Sequence, residues 1–392
     1  MTQPNIDTHR DFFPALANKA YFNYGGQGVL AKTTLVAINK SFEYVQQHGP
    51  FGLKTNAWVA QVAQQARQSI AQELGVEAST ITLTEDVTVG CNIALWGMDW
   101  QPGDHILLTD CEHPGIVAAI EEIKLRYRVT SSVVPLLKTL QDEDAVELIT
   151  THLRPSTKLV VLSHVLWNTG QVLPLAEIGA AVKAYHGAQE IRLLVDAAQS
   201  VGMLPLNLTE LVGVDFYAFT GHKWCCGPEG VGGLYVSPAA RESLRPTFIG
   251  WRSLSYEAAT GGSLLTDGRQ YEVATSAYPL YAGLTAALEL HNNWGNRITR
   301  YQQIVKLATY LWRGLQTMKG VTCLLKEPPQ SGLVAFQVVG VNPDQAVQSL
   351  ESQSIFLRSI VEPSCLRAGV HYFTSEAEID RLLAAVRGLL QG

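Results

Sequence analysis

Short apolar runs separated by amphipathic stretches constrain this chain more than any other feature. Ile81–Thr84, His105–Thr109, Ser132–Pro135, Lys158–Ser163, Leu193–Val195, Phe216–Phe219 and Val231–Val236 read as strands. Between them lie helical patterns at Val87–Leu95, Gly115–Arg126 and Leu175–Tyr185, the last closed by Gly187. A helix over Asn56–Leu74 precedes them, with Trp58, Val59, Val62, Ala66, Ile70 and Leu74 on one face and Gly75 as its stop. Continuous apolar strands are buried on both faces, so the pattern predicts an α/β fold with a mainly parallel sheet covered by helices. Past Pro279 the character changes. Leu280–Trp294 and Ile298–Met318 read as long helices, followed by a strand at Leu333–Val339, a helix at Pro343–Glu351, a strand at Ile355–Leu357 and a closing helix at Glu376–Leu390. The expected division is an N-terminal arm over 1–20 that packs with the smaller domain, a large domain over 21–278 and a smaller α+β domain over 279–392.

Composition narrows the function classes. Of 392 residues, 47% are apolar and 16% charged, which suits a globular chain and excludes a disordered or fibrous one. A net charge of −6 with no basic tract argues against nucleic acid as a partner. No stretch approaches the ~20 apolar residues of a spanning helix, so no membrane partner is expected. The cysteines at 91, 111, 225, 226, 323 and 365 have no CxxC or metal-ligand spacing, which points to free thiols in a reducing compartment and to no metal. The polar N-terminus lacks a signal-peptide core, and a cytoplasmic location follows as the expectation.

Ligands in such sheets bind at the carboxyl ends of strands. There the run Phe216–Phe219 delivers Thr220-Gly221-His222-Lys223-Trp224, and Leu193–Val195 delivers Asp196-Ala197-Ala198-Gln199. A lysine at one strand end and a carboxylate at another suit pyridoxal 5'-phosphate (PLP), which needs an amine for its aldehyde and an acid to keep its ring nitrogen protonated. Taken singly, the lysine reads as a surface residue and the aspartate as a helix cap; together, with Gln199 one turn beyond Asp196, they favour PLP. Gly25, Gly26 and Gly28 suit either a flexible turn or close approach of backbone to a ligand. Thr88, at the start of a helix, is either a cap or a phosphate donor. The turn Asp110-Cys111-Glu112-His113 falls at the same edge.

The chain resembles the class V aminotransferase group of fold-type I PLP enzymes. The matching pieces are Thr84–Asn92 (TEDVTVGCN), Glu112-His113, Ser163-His164-Val165, Asp196-Ala197-Ala198-Gln199, Thr220-Gly221-His222-Lys223 and Arg367–Leu382 (RAGVHYFTSEAEIDRL). The resemblance implies a seven-stranded-type sheet in the large domain and a role for each position. Lys223 would bind the cofactor aldehyde and move the Cα proton; Asp196 would pair with the ring nitrogen and Gln199 with the phenolic oxygen. His113 would stack on the ring and assist proton transfer. Thr88, the Val89 N–H, Thr220 and His222 would hold the phosphate, and Thr275 would reach the phosphate of a neighbour in a homodimer. Arg367 would take the substrate carboxylate, with Gly25 and Asn168 as further substrate-binding candidates. His164 reads as a packing residue and Glu112 as a solvated acid.

One departure decides the reaction. Cysteine desulfurases of this group carry a persulfide-forming cysteine on a loop where this chain has Ser359-Ile360-Val361-Glu362-Pro363-Ser364. Cys365 follows too close to Arg367 and reads as packing. The expectation is therefore a PLP-dependent carbon–sulfur lyase that eliminates sulfur from cystine or cysteine. Pyruvate, ammonia and a persulfide or sulfide would result, with an iron–sulfur protein as one acceptor. A selenocysteine lyase, an isopenicillin-N-epimerase-like enzyme and a PLP-binding regulatory scaffold are the alternatives. For cystine, a second carboxylate needs a second cation. Arg358, read as ending the strand Ile355–Leu357, is the candidate, ahead of Arg252; pairing of Arg358 with Glu362 is the bland alternative.

Overall fold

The computed structural model describes residues 6–141, 143–255 and 262–390, so the first five residues of the expected arm lie outside the description. Along the chain the first strands are β1 (Ala20–Tyr21), β2 (Ile81–Thr84), β3 (His105–Thr109), β4 (Thr130–Val134), β5 (Thr157–Ser163), β6 (Arg192–Asp196), β7 (Phe216–Thr220) and β8 (Gly232–Val236). Strands β2 to β8 form one seven-stranded sheet in the order β2-β8-β7-β6-β5-β3-β4. Neighbours from β4 across to β7 run parallel, and β8 is antiparallel to both β7 and β2.

The apolar runs become strands because both faces of this sheet are covered. Leu107, Val160, Leu193, Val195 and Tyr217 point into one core, while Ile106, Leu108, Leu159, Val161, Leu194 and Phe216 point into another. Successive residues alternate between the two, as the pleat requires. Each such large apolar side chain contributes roughly 1.5–3 kcal/mol by leaving water. Strand β4 sits at the edge with Thr130 and Val133 exposed, and its polar start explains why sequence pattern places it about two residues late.

Two short strands, β9 (Leu254–Ser255) and β10 (Ser263–Leu264), pair antiparallel. Beyond them β11 (Val321–Cys323), β12 (Leu333–Val338), β13 (Ile355–Phe356), β14 (Arg358–Ile360) and β15 (Cys365–Gly369) follow. Four of these make an antiparallel sheet in the order β11-β12-β15-β14. Its own core joins Phe336 and Leu366 with Leu311, Leu350 and Leu382 of the helices Arg297–Gln316, Pro343–Ser352 and Glu376–Leu389. Ala20 and Phe22 enter that core, and β1 pairs with β13 in parallel. The described part of the arm is fastened at His9, whose Nε2 meets the Tyr372 hydroxyl at 2.7 Å, and at Arg10, which pairs with Glu378 at 2.7 Å.

The helix Tyr278–Trp294 buries Tyr281, Leu284 and Leu288 in the larger core, so a division at 279 cuts through its packing. We propose Gly295 as the boundary.

Candidate active site

The carboxyl ends of β5, β6 and β7 lie side by side, with Ser163 opposite Asp196 and Asp196 opposite Ala218. A cavity of about 280 Å³ opens there, between the two sheets. Its wall brings together Lys223, Asp196, Gln199, His113, Thr88, His222, Gly25, Arg358 and Arg367. These residues come from stretches far apart in sequence.

Lys223 sits just beyond β7 and is held by its neighbours' backbone. His371 Nε2 lies 3.0 Å from the Trp224 carbonyl and His291 Nε2 lies 2.9 Å from that of Cys225. A carbonyl can only accept, so both imidazoles carry their proton on Nε2. Gly28 N–H donates to the His222 carbonyl at 2.6 Å, and a Cβ on Gly28 would meet the Lys223 carbonyl at 2.2 Å. The glycine at 28 thus answers close approach of chain to chain, whereas Gly25 makes room for Arg367, whose Nη2 would lie 2.9 Å from an added Cβ. Burial pushes the Lys223 amine down to about 8, against the pull of Asp196. Asp196 accepts the Ala198 N–H at 2.9 Å; burial raises it, and Lys223 and His113 oppose the rise.

Gln199 donates from Nε2 to the Gly25 carbonyl and accepts the Trp224 indole N–H, each at 2.8 Å. These bonds fix the amide and leave its second N–H hydrogen unused. His113 precedes the helix Pro114–Tyr127 and its Nδ1 accepts the Gly115 N–H at 3.2 Å, which leaves Nε2 as the proton-bearing atom. Burial lowers its basicity.

Several sequence expectations need correction. The Val89 N–H donates to the Asp86 carboxylate at 2.9 Å, so Val89 is occupied, and Val87 and Thr88 are the cavity-lining residues of the helix Val87–Gly97. Thr220 does not line the cavity; its hydroxyl pairs with His222 Nδ1 at 2.6 Å and orients that ring. Asn168 also lies behind the wall: its Nδ2 donates to the Glu362 carbonyl at 3.1 Å, tying the β14–β15 turn to the large sheet. Arg358 opens β14, where sequence pattern ends the preceding strand with it, because the chain breaks register at Leu357. Its cross-strand partner is Arg367 of β15, and among the described residues neither pairs with an acid. Arg252 is remote: it pairs with Glu272, itself paired with Arg67 at 2.6 Å, in a different groove that also holds Thr275.

Glu112, read from the sequence as a solvated acid, needs correction too. It is buried, and it accepts from the Thr109 hydroxyl at 2.5 Å, the Ser163 N–H at 3.1 Å and the Ser163 hydroxyl at 2.9 Å. Burial raises its carboxyl to about 8. It clamps the ends of β3 and β5 directly before His113. The only signal was its place after a strand end. His164 is buried and meets the Tyr217 hydroxyl at 2.7 Å, a packing role as expected. Cys365 packs against Ala335 and Ile360, as expected.

The arrangement offers a buried amine, a buried carboxylate, amide and hydroxyl donors at a helix start, and two guanidinium groups without an acid partner among the described residues, Arg367 buried and Arg358 exposed. A family model described as aminotransferase class-V matches residues 29–382. Among solved structures, a mutant of C-DES with glycine covalently linked to its PLP cofactor is 49% identical, with a TM-score of 0.94, covering 98% of this chain and 99% of that one. The complex of the cystine C–S lyase C-DES with its reaction product cysteine persulfide is 50% identical, with a TM-score of 0.93, covering 95% and 98%. A probable cysteine desulfurase of Mycolicibacterium paratuberculosis is 28% identical over 349 residues, 84% of this chain, which spans about half (49%) of that relative's length.

Proposed function

The chain belongs to the aminotransferase class-V family, and from that premise we propose that it is a PLP-dependent carbon–sulfur lyase acting on cystine. The donor set suits the cofactor. Lys223 supplies the amine for its aldehyde, Asp196 the acid for its ring nitrogen, and the free Gln199 N–H a partner for its phenolic oxygen. Thr88 and His222 supply donors for its phosphate. When bound, PLP supplies an electron sink for the pair left when a Cα proton is removed.

The chain's residues then divide the work. Asp196, shut away from water, keeps the ring nitrogen protonated. Arg367 forks onto the α-carboxylate of the reacting half; its guanidinium is held by the Trp167 carbonyl at 2.5 Å. Lys223 Nζ takes the Cα proton, and its depressed affinity for protons makes it a base near neutral pH. The Cβ–S bond breaks and its electrons leave on sulfur. With one water consumed, cystine gives pyruvate, ammonia and cysteine persulfide.

The observation that carries this reading is the cross-strand pair Arg358 and Arg367. Like charges directly opposite destabilise a sheet, so two guanidinium groups facing one cavity need an external reason. Cystine has a carboxylate at each end. Arg358 would hold the half that departs. All six cysteines are buried, which supports release of the sulfur on a small molecule, for an acceptor such as an iron–sulfur protein, rather than its transfer to this chain.

We also read the protein as a cytoplasmic homodimer. Among the described residues no helix is long and apolar enough to cross a membrane. A groove of about 1040 Å³ lined by Phe51, Val59, Trp251 and Leu265 would be covered by the second copy, bringing Thr275 to its phosphate.

The test is a substrate panel of cystine, cysteine and selenocysteine, reading pyruvate and persulfide. Cystine should give the highest kcat/KM. A protein that turns over selenocysteine but not cystine would overturn the assignment.

A further inference from the structure

The helix Val87–Gly97 points its start into the cavity beside Thr88 and His222, where the cofactor phosphate belongs in the reading above. A helix start attracts anions because its first N–H groups are unpaired and its dipole is positive there. In this chain an anion is already present. Asp86 is the capping residue, its Oδ1 accepts the Val89 N–H at 2.9 Å, and its side chain lines the same cavity.

No cation sits in contact with Asp86. No lysine, arginine or histidine among the described residues forms an ion pair with it. His222 feels its charge, yet the imidazole is engaged at Nδ1 by Thr220, and burial and Lys223 both disfavour its charged form. Glu229 adds a second acid acting on His222, and Lys223 also feels the Asp86 charge. A dianionic phosphate seated on the Val87 and Thr88 N–H groups would therefore share one helix start with a carboxylate.

We propose that Asp86 is an internal anion that competes with the cofactor phosphate for this helix start and so sets how tightly the protein holds PLP. The inference rests on the cavity being the PLP site. Its consequence is a cofactor held less firmly than the rest of the cradle allows, and exchanged more readily with free PLP.

The substitution that separates charge from capping is Asp86→Asn, since asparagine caps a helix as well as aspartate does. Holoenzyme of each form is dialysed free of cofactor, then titrated with PLP and with pyridoxal, which lacks the phosphate. Binding is followed by cofactor absorbance and by quenching of tryptophan emission, which needs no turnover. The dissociation constant for PLP should fall by roughly tenfold in the variant, with pyridoxal unchanged. Inorganic phosphate alone should also bind the cofactor-free variant more tightly than the cofactor-free wild type. Asp86→Ser, a second neutral cap, should reproduce the gain and serves if the asparagine form fails to fold. Equal or weaker PLP binding in a folded neutral variant, or an equal gain with pyridoxal, would overturn the proposal. A wild-type chain that takes up no PLP would instead overturn the reading of the cavity.

Discussion

Lys223 and Asp196 are both charged groups in a place that disfavours charge, and each makes the other tolerable. Removing Lys223 deletes the proposed base: Lys223→Ala should lower pyruvate formation by at least ~10²–10⁴-fold, with far-UV circular dichroism unchanged. Near-normal turnover in a folded variant would remove Lys223 from the chemistry. In Asp196→Asn the amide cannot hold the ring proton. Cofactor colour should persist in this variant while single-turnover rates drop. These two residues stood out in the sequence only as a pair: singly, a lysine after a strand reads as a surface residue and an aspartate as a helix cap, and it is their joint place at two strand ends, with Gln199 beyond Asp196, that singled them out. Glu112 was not legible. A Glu-His pair after a strand looks like any solvated turn, and only the fold brings Ser163 over the carboxylate. His291 and His371 escaped notice for the same reason: their partners are main-chain carbonyls, which leave no trace in sequence.

At the level of elements, the pairing of β14 with β15 places Arg358 opposite Arg367. The family resemblance gave Arg367 its role, but no strand was read around it, and sequence pattern ran Ile355 to Leu357 into Arg358 as one strand, since nothing in Ile-Phe-Leu-Arg announces the break. The pairing makes opposite demands on stability and catalysis. Arg358→Ala removes a like-charge contact worth about 0.2–1 kcal/mol, so the melting temperature should hold or rise. If Arg358 binds the distal carboxylate, the same change removes a charge-assisted bond of ~1.5–3 kcal/mol, and kcat/KM for cystine should fall roughly tenfold to a hundredfold. Cysteine, with one carboxylate, should be spared. Equal losses with both substrates would assign Arg358 to general electrostatics. The start of the helix Val87–Gly97 was legible as a helix start, with Thr88 read as either a cap or a phosphate donor. The cap is Asp86 and not Thr88, although an aspartate directly before Val87 is the residue type that the position favours.

For the whole molecule, alternation of strand and helix was sufficient to foresee the large sheet. What pattern could not supply was the way the chain's beginning closes on its end, through β1 against β13 and His9 against Tyr372. Buried imidazoles, His9 in that closure among them, give the molecule a pH signature. Burial pushes His9 and His105 down to about 4, and His164 and His371 to about 3, from an ordinary 6.5. The unfolded chain therefore binds protons that the folded one refuses. The contribution of these rings to stability should be full above pH 6.5 and fall steadily toward pH 4 and below, as urea melts at stepped pH will report, while Glu112, raised to about 8, acts in the opposite sense as pH rises from its ordinary 4.5. A flat profile across that window would contradict the burial of these rings. The proposed homodimer has its own test. Subunits bearing Thr275→Ala and Lys223→Ala, mixed and allowed to exchange, should regain activity, because one of the two hybrid sites then receives both native residues. No recovery on exchange would place Thr275 outside the partner's site. The six thiols have a different significance when set beside the product. Persulfides attack and modify exposed thiols, and a protein that releases them at every turnover bathes in its own reagent. With every cysteine sealed in the interior, this chain presents no exposed thiol, so a persulfide released as proposed would find none on it to modify.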